Sequence, residues 1–501
     1  MTADKNQEGS AAAGPLSRRK FIGQAGAMAL GATALSGMHL NLDAVRAAAM
    51  ENPDTTGYKA LVCILLSGGN DSFNMLVPHD EHASYVEARG GLYTRGNGGV
   101  AMPLGQLLTI GDGEFAVHQS LADIPTMYDS GELAFLANAG PLVAPIIDGT
   151  TRIPLTVSNS PRGLFSHRDQ IDAWQVVGGS GTGVLGRVDD VYDAPATSDL
   201  ASISSSISVA GTNLMQRGAS SRHYTISLSG PVKFNGAGVD PTRSRISIQA
   251  AIGTTPGSST PTLYNGGYGG PFKEAYARHM ETAVANADAF STGYQTAFAN
   301  SAIDRDYFNR RNTAAAQLEA VVRSIEMQQV LAPIDQVSRQ IFFVRFGGWD
   351  DHDALIAGHG PRLAALNEAM FQFSEGLKAI GRWSDVTTFT ASDFGRTLRS
   401  NGTGTDHGWG GNHMIMGGAV QGGTIYGEYP NADDLMPNSF LDLATDGNGA
   451  GRLIPTTSAD EYLAELALWF GVPASRLLEV LPNLGEFYSP SSATAPIGFM
   501  S

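Results

Sequence analysis

The sequence predicts an α/β sandwich around a mostly parallel central sheet flanked by helices. Strand, polar loop and helix recur along the whole chain, the order that builds parallel sheets through helical crossovers. Residues 60–66, 341–346 and 386–391 are mainly apolar runs that break at Gly- or Asp-bearing loops, as strands buried on both faces do. The 501 residues are 42% hydrophobic but only 16% charged, with 61 Gly, which suits a large core wrapped in Ser, Thr, Asn and Gly loops.

From the N-terminus, Ser17-Arg18-Arg19-Lys20-Phe21-Ile22 precedes an uncharged stretch to Leu42, and Ala47-Ala48-Ala49 follows. That order resembles a twin-arginine export signal over residues 1–49. It implies passage through the twin-arginine translocation machinery and a periplasmic or secreted location. The stretch is too weakly hydrophobic to predict permanent membrane insertion.

The next strand, 60–66, ends at Ser67-Gly68-Gly69-Asn70-Asp71. A helix is expected over 121–128 and a strand over 132–138. Ser166 is a good N-cap for a helix running through Trp174. Composition shifts to Ser, Thr and Gly over about 178–270, read as an insertion within a domain spanning 50–475. Helical spacing returns at 276–299 and 308–328. Strand 341–346 ends at Gly347-Gly348-Trp349-Asp350-Asp351-His352, and Leu363, Leu366, Met370, Phe373 and Leu377 mark one helix face. Strand 386–391 ends at Ser392-Asp393, a Gly-rich loop carries His407 and His413, and a last helix spans 462–470. Residues 476–501 read as a C-terminal tail.

Composition excludes several classes of function. With Lys+Arg 32 against Asp+Glu 48 the formal charge is -16, unsuited to nucleic acid or anionic lipid. Mean hydropathy of -0.08 excludes a polytopic membrane protein. One Cys excludes intrachain disulfides and thiolate zinc sites.

Carboxyl ends of strands in one parallel sheet share an edge, where ligands bind. Asp71, Asp350, His352 and Asp393 fall at such ends, and His407 and His413 follow. Three carboxylates and three imidazoles suit one or two divalent ions, zinc where His dominates and manganese, magnesium or calcium where oxygen does. An Asp after a strand also serves as a helix N-cap or loop brace.

Leu66-Ser67-Gly68-Gly69-Asn70-Asp71, Phe115-Ala116-Val117-His118-Gln119-Ser120-Leu121, Gly347-Gly348-Trp349-Asp350-Asp351-His352, Ser392-Asp393-Phe394-Gly395-Arg396-Thr397, Gly404-Thr405-Asp406-His407-Gly408 and Leu453-Ile454-Pro455-Thr456-Thr457-Ser458 resemble, in order, the blocks of the domain-of-unknown-function family 1501. Those are exported bacterial proteins grouped with the alkaline phosphatase and sulfatase superfamily. The resemblance implies an alkaline phosphatase-like fold and two metal sets, Asp71, Asp393 and His407 in one and Asp350, His352 and His413 in the other. It also implies a nucleophile at a helix N-terminus, for which Ser166 is best placed, with Arg168 pairing to phosphate or sulfate oxygens. The chain departs from the pattern in the short Asp350-x-His352 spacing, in Asp393 where the family usually has Glu, in Asp351 where Thr is usual, and in a split Asp-His pair unless Asp406-His407 is that pair. It lacks a Cys-x-Pro-x-Arg signature, which excludes a formylglycine sulfatase. Two functions are therefore expected: an exported metal-dependent hydrolase acting on small-molecule or polymer phosphate or sulfate esters, or a non-catalytic exported binding or structural protein that keeps the alkaline phosphatase-like fold and binds a surface partner or polymer.

Overall fold

Strand Lys59–Ser67 is apolar on both sides because it runs through the middle of the central sheet. Ala60, Val62, Ile64 and Leu66 enter one core and Leu61, Cys63 and Leu65 the other, the two-residue alternation of extended chain. Burying each larger side chain contributes about 1.5–3 kcal/mol over leaving it exposed.

The computed structural model describes residues 51–93, 98–148, 151–156, 158–179, 181–192, 199–231, 271–443 and 450–501. The twin-arginine segment 1–49 and residues 232–270 of the Ser/Gly/Thr-rich stretch lie outside the described residues. Among the described residues, nine strands form the central sheet: β1 Lys59–Ser67, β2 Leu133–Gly140, β3 Ser206–Ser208, β4 Tyr224–Thr225, β5 Arg339–Gly347, β6 Val386–Ser392, β7 Gly411–Met416, β8 Ile425–Gly427 and β9 Thr457–Ser458. Their order is β8-β2-β7-β6-β1-β5-β3-β4, with β9 also beside β2. Every pairing is parallel except the two that β7 makes, to β6 and β2.

Six helices matter for the layers: α1 His167–Val176, α2 Val184–Val191, α3 Pro271–Asn300, α4 Thr313–Met327, α5 Leu355–Ala379 and α6 Ala459–Phe470. Phe290 of α3, Leu318 of α4 and Phe373 of α5 pack on the first face of the sheet. Trp174 of α1, Val188 of α2 and Tyr462 of α6 pack on the second. Caps set the ends. Ser458 and Glu461 make a reciprocal capping box, and α6 stops at Gly471 with φ 110°, a left-handed turn that glycine adopts without strain.

The three strands expected from their apolar runs are adjacent and parallel, in the order β6-β1-β5. Ser67 pairs with Gly347 and Leu66 with Ser392, so the three chains leave the sheet side by side. Two stretches of the Ser/Gly/Thr-rich region, β3 and β4, extend this same sheet at its edge. The 476–501 segment is packed onto the domain. Phe499 is fully buried, and the Glu465 carboxylate accepts the backbone N–H groups of Ile497, Gly498 and Met500. No helix among the described residues is long and apolar enough to cross a membrane.

Candidate metal centre

Three crossing loops meet where β1, β5 and β6 end. Gly68 passes directly beneath the β5 loop with φ 123°, and a Cβ there would lie 2.6 Å from the Asp350 nitrogen. Buried Trp349 pins that loop by donating its indole N–H to the Phe346 carbonyl at 2.9 Å. Arg396, also buried, straps all three segments. It donates to the carbonyls of Gly68, Gly69, Trp349 and Thr405 and to the Asp350 carboxylate. The loop geometry thereby holds Asp350 Oδ1 at the sheet edge.

Around that oxygen stand three imidazoles. The Nε2 atoms of His352, His167 and His407 lie 3.2, 3.4 and 3.6 Å from Asp350 Oδ1, and one ligand atom from each of the four residues lies within 4.8 Å of all the others. A tetrahedron of ligands about 2.0–2.1 Å from a central ion has edges of roughly 3.3–3.4 Å. The three separations to Asp350 bracket that edge.

Each ring is oriented from behind. His407 Nδ1 lies 2.6 Å from the Phe165 carbonyl, His167 Nδ1 2.8 Å from Asp393 Oδ2, and His352 Nδ1 3.1 Å from Asp406 Oδ1. Facing only acceptors, each Nδ1 is placed to donate, and whenever its ring is neutral in that tautomer the Nε2 turns a lone pair inward. His352 Nε2 and His407 Nε2 are then 2.8 Å apart, and His167 Nε2 is buried without a hydrogen-bond partner. Three such lone pairs would repel unless a proton or a metal ion sits among them. Acceptors behind metal-bound histidines are the usual companions of such ions, fixing ring and tautomer together.

Burial opposes ionisation of Asp350, but Arg396, His167 and His352 outweigh it and hold its pKa below the ordinary value. Burial lowers the pKa of His407, with Arg396 and the neighbouring imidazoles adding to the effect, so this ring is neutral at pH 7. Burial raises the pKa of Asp393, partly offset by His167 and the Gly68 N–H.

Of the six expected ligands, Asp350, His352 and His407 are in the group of four, and Asp71, Asp393 and His413 are not. Asp71 is buried in an ion pair with Arg89, a cation that already supplies the positive charge an ion would bring. Asp393 reaches the group through His167. His413 lies mid-sheet in β7, paired in register with Leu136 and packed against the rings of Trp174 and Tyr462. Burial lowers its pKa to about 4. The Gly-rich loop expected around His407 and His413 is instead two strands, Thr405–His407 in a ribbon with Arg396–Ser400 and then β7. Gly411-Asn412-His413 reads as loop because its first residues are small and polar, yet β7 is buried along its whole length.

His167 is the member of the group that sequence reasoning passed over. Ser166 is the N-cap of α1, its Oγ accepting the Asp169 N–H at 3.5 Å, so the next side chain projects from the helix end toward the strand ends. Ser166 is half-buried and Arg168 exposed.

Comparison with curated proteins gives no match. Among solved structures, the chain has a weak likeness to Ps i-CgsB in complex with k-i-k-neocarrahexaose, at 8% identity over 83% of this chain and 72% of that one, with a TM-score of 0.31. Ps i-CgsB alone gives 10% identity, 76% and 71% coverage and a TM-score of 0.27. A mutant of the alkaline phosphatase PafA gives 11%, 70%, 64% and 0.24. Residues 271–439, which include Asp350, His352 and His407, match the model of the family described as protein of unknown function, DUF1501, the family whose blocks this sequence resembles.

Proposed function

We propose that the protein is an exported metal-dependent hydrolase of phosphate or sulfate esters, with one divalent ion, zinc, on His167, Asp350, His352 and His407. The observation that carries this reading is the set of three Nε2 atoms around Asp350 Oδ1, each ring held from behind through Nδ1. Three imidazoles and one carboxylate form a donor set suited to zinc. A divalent ion there supplies Lewis acidity and a lowered pKa for a bound hydroxyl group.

The chain's own groups take the remaining roles. Arg396 keeps Asp350 charged and aimed. Ser166, at the α1 N-terminus where free N–H groups favour an anion, is the proposed nucleophile. Arg168, exposed on the same helix, is the proposed clamp for the anionic ester oxygens. The Asp71–Arg89 pair leaves one ion where the superfamily pattern implies two. That same pair favours the second reading, an exported binding protein that keeps the fold without turnover. Export by the twin-arginine route, with a periplasmic or secreted destination, belongs to both.

Metal analysis of the purified chain, joined to hydrolysis of p-nitrophenyl phosphate and p-nitrophenyl sulfate, tests the proposal. About one zinc per chain is expected, with turnover lost on chelation and restored by zinc. Ser166→Ala should reduce turnover at least 100-fold while zinc stays bound. Equal turnover by metal-free protein rejects the metal role, and a zinc-loaded chain inert toward both esters leaves the binding reading.

A further inference from the structure

Helix α1 has a second use. Successive residues turn by 100°, so Asp169, Asp172, Ala173 and Val176 fall on the face opposite His167. They form one wall of a cavity of about 330 Å³ that is also lined by Leu142, Asn483 and Asp460. Asp460, in the first turn of α6, is 1% exposed, and its Oδ1 has no hydrogen-bond partner.

We propose that this cavity binds a small organic cation, a primary ammonium group on a short apolar body, with Asp460 as its anchor. The charge balance excludes an anion. Asp169, Asp172 and Asp460 line the space against one arginine, Arg162, which is exposed at its rim. Arg187 of α2 lies behind Asp460 but its hydrogens are spent elsewhere. Nε donates to the Val480 carbonyl, Nη1 to the carbonyl and hydroxyl of Thr182, and Nη2 to the carbonyls of Val176 and Val177. Arg187 therefore offers Asp460 charge but no donor. A buried carboxylate oxygen without a donor is costly, and an ammonium brings three. Leu142, Val143 and Val177 supply the apolar wall for its body.

The groups facing Asp460 fix the pH response. Glu461 on its own helix repels its charge and Arg187 attracts it, while Asp169, Asp172 and Arg162 face it across the cavity. Burial dominates and raises its pKa to about 7. An ammonium needs the ionised form, so affinity rises with pH through 7, and below 7 binding releases a proton.

Calorimetric titration of the full chain with benzylammonium, with benzyl alcohol as the neutral counterpart, tests the site. Benzylammonium should bind about tenfold more tightly at pH 8 than at pH 6, and the alcohol should not bind. Asp460→Asn should weaken benzylammonium at least tenfold. Asp172→Asn, at an exposed position, should weaken it a few-fold and serves if the first variant fails to fold. Chelation and His352→Ala should leave binding unchanged, which separates this site from the metal centre. Equal affinity for the alcohol, unaltered binding by both variants, or no saturable binding of benzylammonium overturns the proposal.

Discussion

His352 and His407 hold their rings in different ways, and the difference predicts which one is easier to disturb. The carbonyl behind His407 belongs to the backbone of Phe165 and cannot be removed by substitution. The carboxylate behind His352 belongs to Asp406, whose side chain is 49% exposed. Burial opposes ionisation of Asp406, but Asn401 and His352 outweigh it and hold its pKa low, so it is charged at neutral pH and fixes the orientation of the ring it faces. Asp406→Ala should fold normally and weaken zinc binding about 10–100-fold, measured by competition with a chromophoric chelator. His413→Phe, which changes a ring packed between Trp174 and Tyr462, should leave zinc affinity unaltered. Unchanged affinity in the Asp406 variant removes that carboxylate from the centre.

At the scale of elements, the centre depends on how closely β1 and β5 cross after leaving the sheet. Gly68→Ala would set a methyl group 2.6 Å from the Asp350 nitrogen at a positive φ. The loops must part, at a cost of about 1–3 kcal/mol, and Asp350 moves with them. Gly347→Ala meets nothing within 4 Å and should stay within about 0.5 kcal/mol of the parent. Urea denaturation of the pair separates the crossing from a general intolerance of larger residues, and equal stabilities reject it. These elements also show what the sequence makes legible. The apolar runs of β1, β5 and β6 announce buried strands because burial on both faces demands apolar residues throughout. Ser166 announces a helix start because the cap is a local contact. The partner of Asp71 is not local in that sense. Arg89 comes from another segment, and nothing in the strand-end pattern distinguishes an Asp that pairs with arginine from one that faces a metal. His167 and Asp350 are likewise joined only by the fold.

For the whole molecule, the proposed metal centre would act as a cross-link. The four candidate ligands come from the start of α1, the loop after β5 and the Thr405–His407 strand. An ion that binds only when these segments are assembled stabilises the native state by mass action, about 4 kcal/mol when free zinc is a thousandfold above its dissociation constant. In a unit of this size the entropy of unfolding makes 1 kcal/mol worth roughly 1 °C. Zinc should therefore raise the melting temperature by about 4 °C, and a chelator should reverse the gain. His352→Ala removes one of the four ligands while its side chain is 41% exposed, so the metal-free variant should melt close to the metal-free parent. The gain on adding zinc should largely vanish in that variant. Scanning calorimetry of both proteins with and without zinc decides it. A zinc-dependent rise that survives in His352→Ala would mean that the ion binds elsewhere, and no rise in the parent would mean that the three segments are held by Arg396 and the sheet alone.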